Sequence, residues 1–195
     1  ETVAYDILFL IFLGFAVGWG RPGEFNLSKM RDGSYGSPYF LLLHQLPIRN
    51  DILIKNRFII YYIYSIPVHV LFFISLYIFS GEIRSILTLP EYVAFAVIWL
   101  AVGICNGTSF PIVDIGEVKK MRALKRSLYF IIMIVVVGGG LVLFQKYTGY
   151  GIVYGSMIIA GKWPLIAGIL SVAAAIICIK LALRNANKNI MKIDY

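Results

Sequence analysis

Five apolar runs limit what this chain can fold into: Val3 to Trp19, Phe58 to Ser80, Tyr92 to Val113, Leu128 to Phe144 and Trp163 to Ile179. A helix needs about 20 residues to cross the hydrocarbon core of a bilayer, where its backbone polar groups find no water and must bond within the segment. The second and third runs meet that length alone, and the other three do so with their flanks. Composition agrees, since 59% of residues are hydrophobic against roughly 45–50% in a soluble domain, and mean hydropathy is +0.81. The pattern predicts an all-α integral membrane protein with five visible transmembrane helices, forming one transmembrane domain over residues 1–195.

The net charge of +8 suggests a nucleic-acid partner only until its distribution is examined. Fifteen of the 18 Lys and Arg residues fall in three alternating segments, 21–57, 119–126 and 180–192, whereas Arg84, Lys146 and Lys162 occupy the other connections. Lys and Arg accumulate on the cytoplasmic side of short loops. The bias therefore predicts a multi-pass protein of the cell membrane, contacting lipid and no nucleic acid, with its C-terminus cytoplasmic and its first visible helix entering from outside. Because the chain starts with Glu1 rather than Met, a further helix upstream is expected, giving six spans in all.

Two connections carry structure of their own. Residues 145–162 enclose Ile152 to Ala160, apolar but only nine residues long, which predicts a re-entrant or interfacial segment on the outer face. Gly81 to Pro90 reads as a short outer loop.

Catalytic constellations are sparse. His44 and His69 stand apart, without the spacing a metal site requires. Cys105 and Cys178 lie inside apolar runs and read as buried small residues. No Asp, Glu, Lys or Arg falls near the centre of a run, where ionisable groups mark ion pathways, and Asp6 and Asp114 sit near run ends. Gly138 to Gly140 lacks the Lys of a phosphate-binding loop and suits close helix packing. No catalytic residue, bound cofactor or metal is expected in this chain.

The polar stretch "SPYFLLLHQLPIRNDILIKNRF" remains. Ser37 is a favourable N-cap and Pro38 a favourable first helical residue, while Pro47 biases Leu46 out of the helical region. A helix from Pro38 to about Leu46 measures about 13 Å, too short to cross. Tyr39, Leu42, Leu43 and Leu46 share one face, with His44 and Gln45 beside it. A second helix, capped by Asn50 or Asp51, then continues into the next span, with Lys55 and Arg57 at headgroup level and a kink at Pro67.

The segment from Tyr39 to Ile59 resembles ABC-2-type ABC transporter permeases, in which a short cytoplasmic coupling helix precedes a Leu-Pro-[Ile/Val] turn and a basic entry to the next span. The resemblance implies the membrane-spanning subunit of an ATP-driven exporter, its coupling loop at 21–57. Its partners would be cytoplasmic ABC ATPase subunits, which carry the ATP and Mg, and a second permease of the same or a different kind. The segment touching the ATPase would be Tyr39, Phe40, Leu42, Leu43, His44, Gln45, Leu46, Pro47, Ile48, Arg49, Asn50 and Asp51. Within it, Phe40, Leu43, His44 and Leu46 would be the main contacts, and Arg49 and Asp51 polar or ion-pair contacts. ATP hydrolysis would belong to the partner, since the chain has no Walker A motif. Apolar, aromatic spans suit an amphipathic or hydrophobic cargo: a peptide, a lipid-like molecule or a drug. The alternatives are a membrane redox or enzyme subunit using His69 or outer tyrosines, and a non-transporting immunity or sensor protein.

Overall fold

The computed structural model describes residues 6, 7, 9–13, 28, 29, 35–37, 39, 42, 43, 45–115 and 123–190. Apart from short turns and connections these are helical, with one antiparallel pair of two-residue strands, β1 (Ser28–Lys29) and β2 (Tyr35–Gly36), in the register Ser28 to Gly36 and Lys29 to Tyr35. The helices are α1 (Asn50–Phe79), α2 (Gly81–Ile86), α3 (Leu89–Gly107), α4 (Ser109–Ile115), α5 (Ala123–Thr148), α6 (Ile152–Lys162) and α7 (Pro164–Ile190). Residues 6, 7 and 9–13 are also helical.

Among the described residues, three helices are long and apolar enough to cross a membrane: Asn50–Phe79, Leu89–Ile112 and Pro164–Lys188. They carry the second, third and fifth apolar runs. The first run appears in the N-terminal helical residues and the fourth in α5. Only 17% of the most apolar window of α1 and of α7 is buried, against 44% for the middle helix. Leu89–Ile112 is therefore the centre of the bundle, and the other two present broad apolar faces outward.

The connection Gly81 to Pro90 is more ordered than a loop. Ser80 ends α1 and begins α2, its Oγ accepting a hydrogen bond from the Ile83 amide at 3.3 Å. At the start of α3 the Thr88 amide donates to Glu91 Oε2 at 2.7 Å. That carboxylate satisfies an amide preceding the first turn, as in a capping box. The start of α1 also departs from expectation: Arg49 is the N-cap residue, with no side-chain cap bond, and Asn50 is the first helical residue. Asp51 acts from within the first turn, where a carboxylate favours the positive end of the helix. Pro67 lies inside α1, which continues to Phe79.

A close approach fixes α1 against α3. Gly103 and Gly107 stand four residues apart on α3, the small-xxx-small spacing that lets membrane helices meet backbone to side chain. A Cβ on Gly103 would lie 3.0 Å from His69 Nε2, and one on Gly107 would overlap the Tyr61 hydroxyl. His69 is buried, with Nδ1 2.8 Å from the Ser65 carbonyl oxygen and Nε2 3.4 Å from that of Leu13. Each ring nitrogen thus faces a backbone acceptor, and the imidazole ties α1 to the N-terminal helical segment.

The larger core is aromatic. Phe9 packs edge-on to Trp99 at 5.2 Å and tilted to Phe95 at 6.1 Å, and Phe73 meets Phe95 edge-on at 6.2 Å. Val153, Met157 and Ala160 of α6 complete the cluster with Ile83 and Leu87. Lipid is itself apolar, so shape fit rather than exclusion from water holds such a core. Phe95 is fully buried, and Phe95→Ala is expected to cost about 3 kcal/mol, the low end for truncating a buried aromatic. Ile74→Ala on the outward face of α1 should change stability far less. Unfolding of purified protein in a graded denaturing detergent measures both.

Candidate functional site: the segment before α1 and the capped short helix

Tyr39, Leu42 and Leu43 are helical, and the helix ends where the Gln45 amide bonds the Leu42 carbonyl and the Leu46 amide that of Leu43, both at 3.2 Å. Pro47 then redirects the chain through a tight turn, closed by a 2.7 Å bond from the Ile48 amide to the Leu46 carbonyl. Phe40 and His44 lie outside the described residues. Regular helix stops short of Leu46, because the residue before a proline is excluded from helical geometry.

The segment is sorted into two faces. Leu42 is 60% exposed, Leu46 48%, Tyr39 and Ile48 somewhat less, which is unusual for large apolar side chains clustered together. Leu43 instead packs against a second core of Leu53, Ile54, Phe58, Ala182 and Ala186. That cluster joins the first turns of α1 to the C-terminal half of α7.

The polar residues pair among themselves. Arg49 Nε donates to Asp51 Oδ1 at 3.0 Å, and Lys55 Nζ lies 3.9 Å from Asp51 Oδ2. Both cations are well exposed, so these pairs are worth at most about 1 kcal/mol and can be exchanged for a partner's groups. Arg57 is buried, sharing a helical face with Leu53, Ile54 and Phe58.

At the other end of α1 lies the feature the sequence reading passed over. Asp6 is buried, and its carboxylate accepts the Ile152 amide on Oδ2 and the Val153 amide on Oδ1, each at 2.9 Å. It is an N-cap for α6 supplied from the opposite end of the chain. The capping position on α6 itself is Gly151, which has no side chain to offer, and a Cβ there would stand 2.5 Å from Asp6 Oδ2. The glycine makes room for the foreign carboxylate. Sequence held half of this signal: an apolar helix preceded by Gly151 leaves buried amides that need an acceptor, although nothing local says which one. Trp99 Nε1 donates to Ser156 Oγ at 2.9 Å, fixing the next turn of α6 to α3.

A cavity of about 250 Å³ opens beside this cap, lined by Asp6, Phe9, Leu76, Glu82, Tyr154 and Met157 among others. Among the described residues, no three His, Cys, Asp or Glu side chains gather as a metal site would require. The chain matches no protein-family model, no curated protein and no solved structure.

Removing the cap should be costly. Asp6→Ala leaves two buried amides without an acceptor and should destabilise by roughly 2–5 kcal/mol, Asp6→Asn by about 2 kcal/mol. Gly151→Ala should act in the same direction by displacing the carboxylate. Hydrogen exchange at Ile152 and Val153, followed with the melting temperature, checks the assignment: unchanged protection in Asp6→Ala would overturn it.

Proposed function

We propose that the chain is the membrane-spanning permease subunit of an ATP-driven exporter of the ABC-2 type. The observation that carries this reading is the two-faced segment 39–51. Exposed Leu42, Leu46 and Ile48 offer an apolar knob, while Leu43 packs on the cluster in which α1 and α7 meet. A load applied to the knob is therefore passed to two long helices rather than absorbed by a loose loop.

In this reading five of the helical stretches span the bilayer, with segments 21–57, 119–126 and 180–192 in the cytoplasm, as the charge bias favours. The segment 145–162, with α6 only 11 residues long, about half of a bilayer in length, lies on the outer side. The two are at opposite ends of α1, a helix of 30 residues and so about 45 Å. Cytoplasmic ATPase subunits hold the ATP and Mg. Their closure bears on Tyr39, Leu42 and Leu46, and the Pro47 turn carries the displacement into α1. The apolar faces of α1 and α7 meet lipid and a second permease, and alternation between two packings of the pair moves an amphipathic or hydrophobic cargo outward. The rival redox reading finds less support, since both His69 ring nitrogens already face backbone carbonyls.

Structure also refines which leucines test the coupling. Leu42→Glu with Leu46→Glu alters only exposed positions, so stability should change by no more than about 0.5 kcal/mol, while ATPase copurification and cargo-stimulated ATP turnover are lost. Leu43→Ala should leave ATPase binding in place and lower cargo moved per ATP, because the brace is removed. Normal export by the double glutamate variant would end the proposal.

A further inference from the structure

The cavity beside the α6 cap combines features that the cap alone does not need. Two carboxylates line it, Asp6 and Glu82, and among the described residues no Lys, Arg or His does. Neither carboxylate pairs with a cation among the described residues. Asp6 is 1% exposed and accepts one amide on each carboxylate oxygen, whereas an ionised carboxylate offers about four acceptor positions. The positive end of α6 supplies about half an elementary charge, so a cavity facing two full negative charges stays negative. Glu82 is exposed and Asp6 buried, which puts the dry carboxylate at the floor and the exposed one at the mouth. Most of the remaining lining is apolar or aromatic, with Phe9, Leu76, Ile86 and Met157 as walls and Tyr154 beside them.

We propose that this cavity binds a small amphipathic amine in its protonated form, a single ammonium head on a short alkyl or aryl tail. The acceptors select the head. An ammonium carries three donors and no acceptor, and it meets the lone pairs that the Ile152 and Val153 amides leave open on Asp6, with Glu82 completing the charge balance. The walls select the tail. A volume of about 250 Å³ lies just under the range of roughly 300–1,000 Å³ usual for drug-sized ligands, which limits the tail to one ring or a short chain. Phe9 and Tyr154 contribute aromatic rings to the lining, and a cation is drawn to the face of such a ring. A divalent metal ion is served less well, because it takes roughly six to eight oxygens and among the described residues no third Asp, Glu, His or Cys joins the two carboxylates.

This site does not rest on the transport reading, and no ATPase enters its test. The full chain is reconstituted in nanodiscs of phosphatidylcholine, and phenethylamine, phenethyl alcohol and hydrocinnamate are each titrated in by calorimetry, with empty nanodiscs as the blank. Phenethylamine should bind saturably, one molecule per chain. The alcohol keeps the ring and loses the charge, and should bind roughly tenfold more weakly, as expected when a hydrogen bond to a charged group is lost. The anionic hydrocinnamate should not bind. Glu82→Gln removes one charge from an exposed position and should weaken the amine several-fold with the melting temperature unchanged. Ile86→Trp, also at an exposed position, keeps both carboxylates but fills the space, and should abolish amine binding. Neither variant touches the cap, so both report on the cavity even where Asp6→Asn fails to fold. Absence of saturable amine binding, equal affinity for amine and alcohol, or amine binding unchanged in either variant would each overturn the site.

Discussion

A carboxylate buried in an apolar bundle is tolerated only when its charge is met, and Asp6 meets it with the first two amides of α6. The exchange is mutual. A helix end leaves amides with no partner of their own, and in apolar surroundings each would cost a hydrogen bond's worth of free energy or more. The short helix is thereby held inside the bundle, where Val153, Met157 and Ala160 pack on Phe9, Phe95 and Trp99. Without that acceptor, α6 has reason to drift toward the interface and take one wall of the aromatic core with it.

The two ends of α1 are built on different physics. At one end, aromatic rings and a charged cap set a rigid arrangement around α2 and α6. At the other, a handful of aliphatic side chains and alanines join α1, α7 and Leu43, with ion pairs that are exposed and exchangeable.

Much of this was legible in the residues themselves. Run length and composition fixed the helical, membrane-like class, and Pro47 placed the break before α1 within a residue or two. The shortness of Ile152 to Ala160 separated α6 from the longer helices. What escaped were partnerships across distance. Asp6 read as a carboxylate near the end of a run because its acceptor role depends on amides far along the chain. Arg57 read as a basic residue flanking a span, and its burial beside Ile54 and Phe58 depends on what packs against that face. In each case the missing term was which helix lies beside which, and periodicity along one helix does not contain it.

The reach of the Asp6 bond also orders the assembly of the chain in time. Asp6 is synthesised well before its partners Ile152 and Val153, which lie 146 and 147 positions further along the chain. Until they are made its carboxylate lacks this pair of donors, and an unpaired carboxylate resists entry into hydrocarbon. The cap closes only once α6 has been made, so the aromatic end that packs on α6 is completed after it.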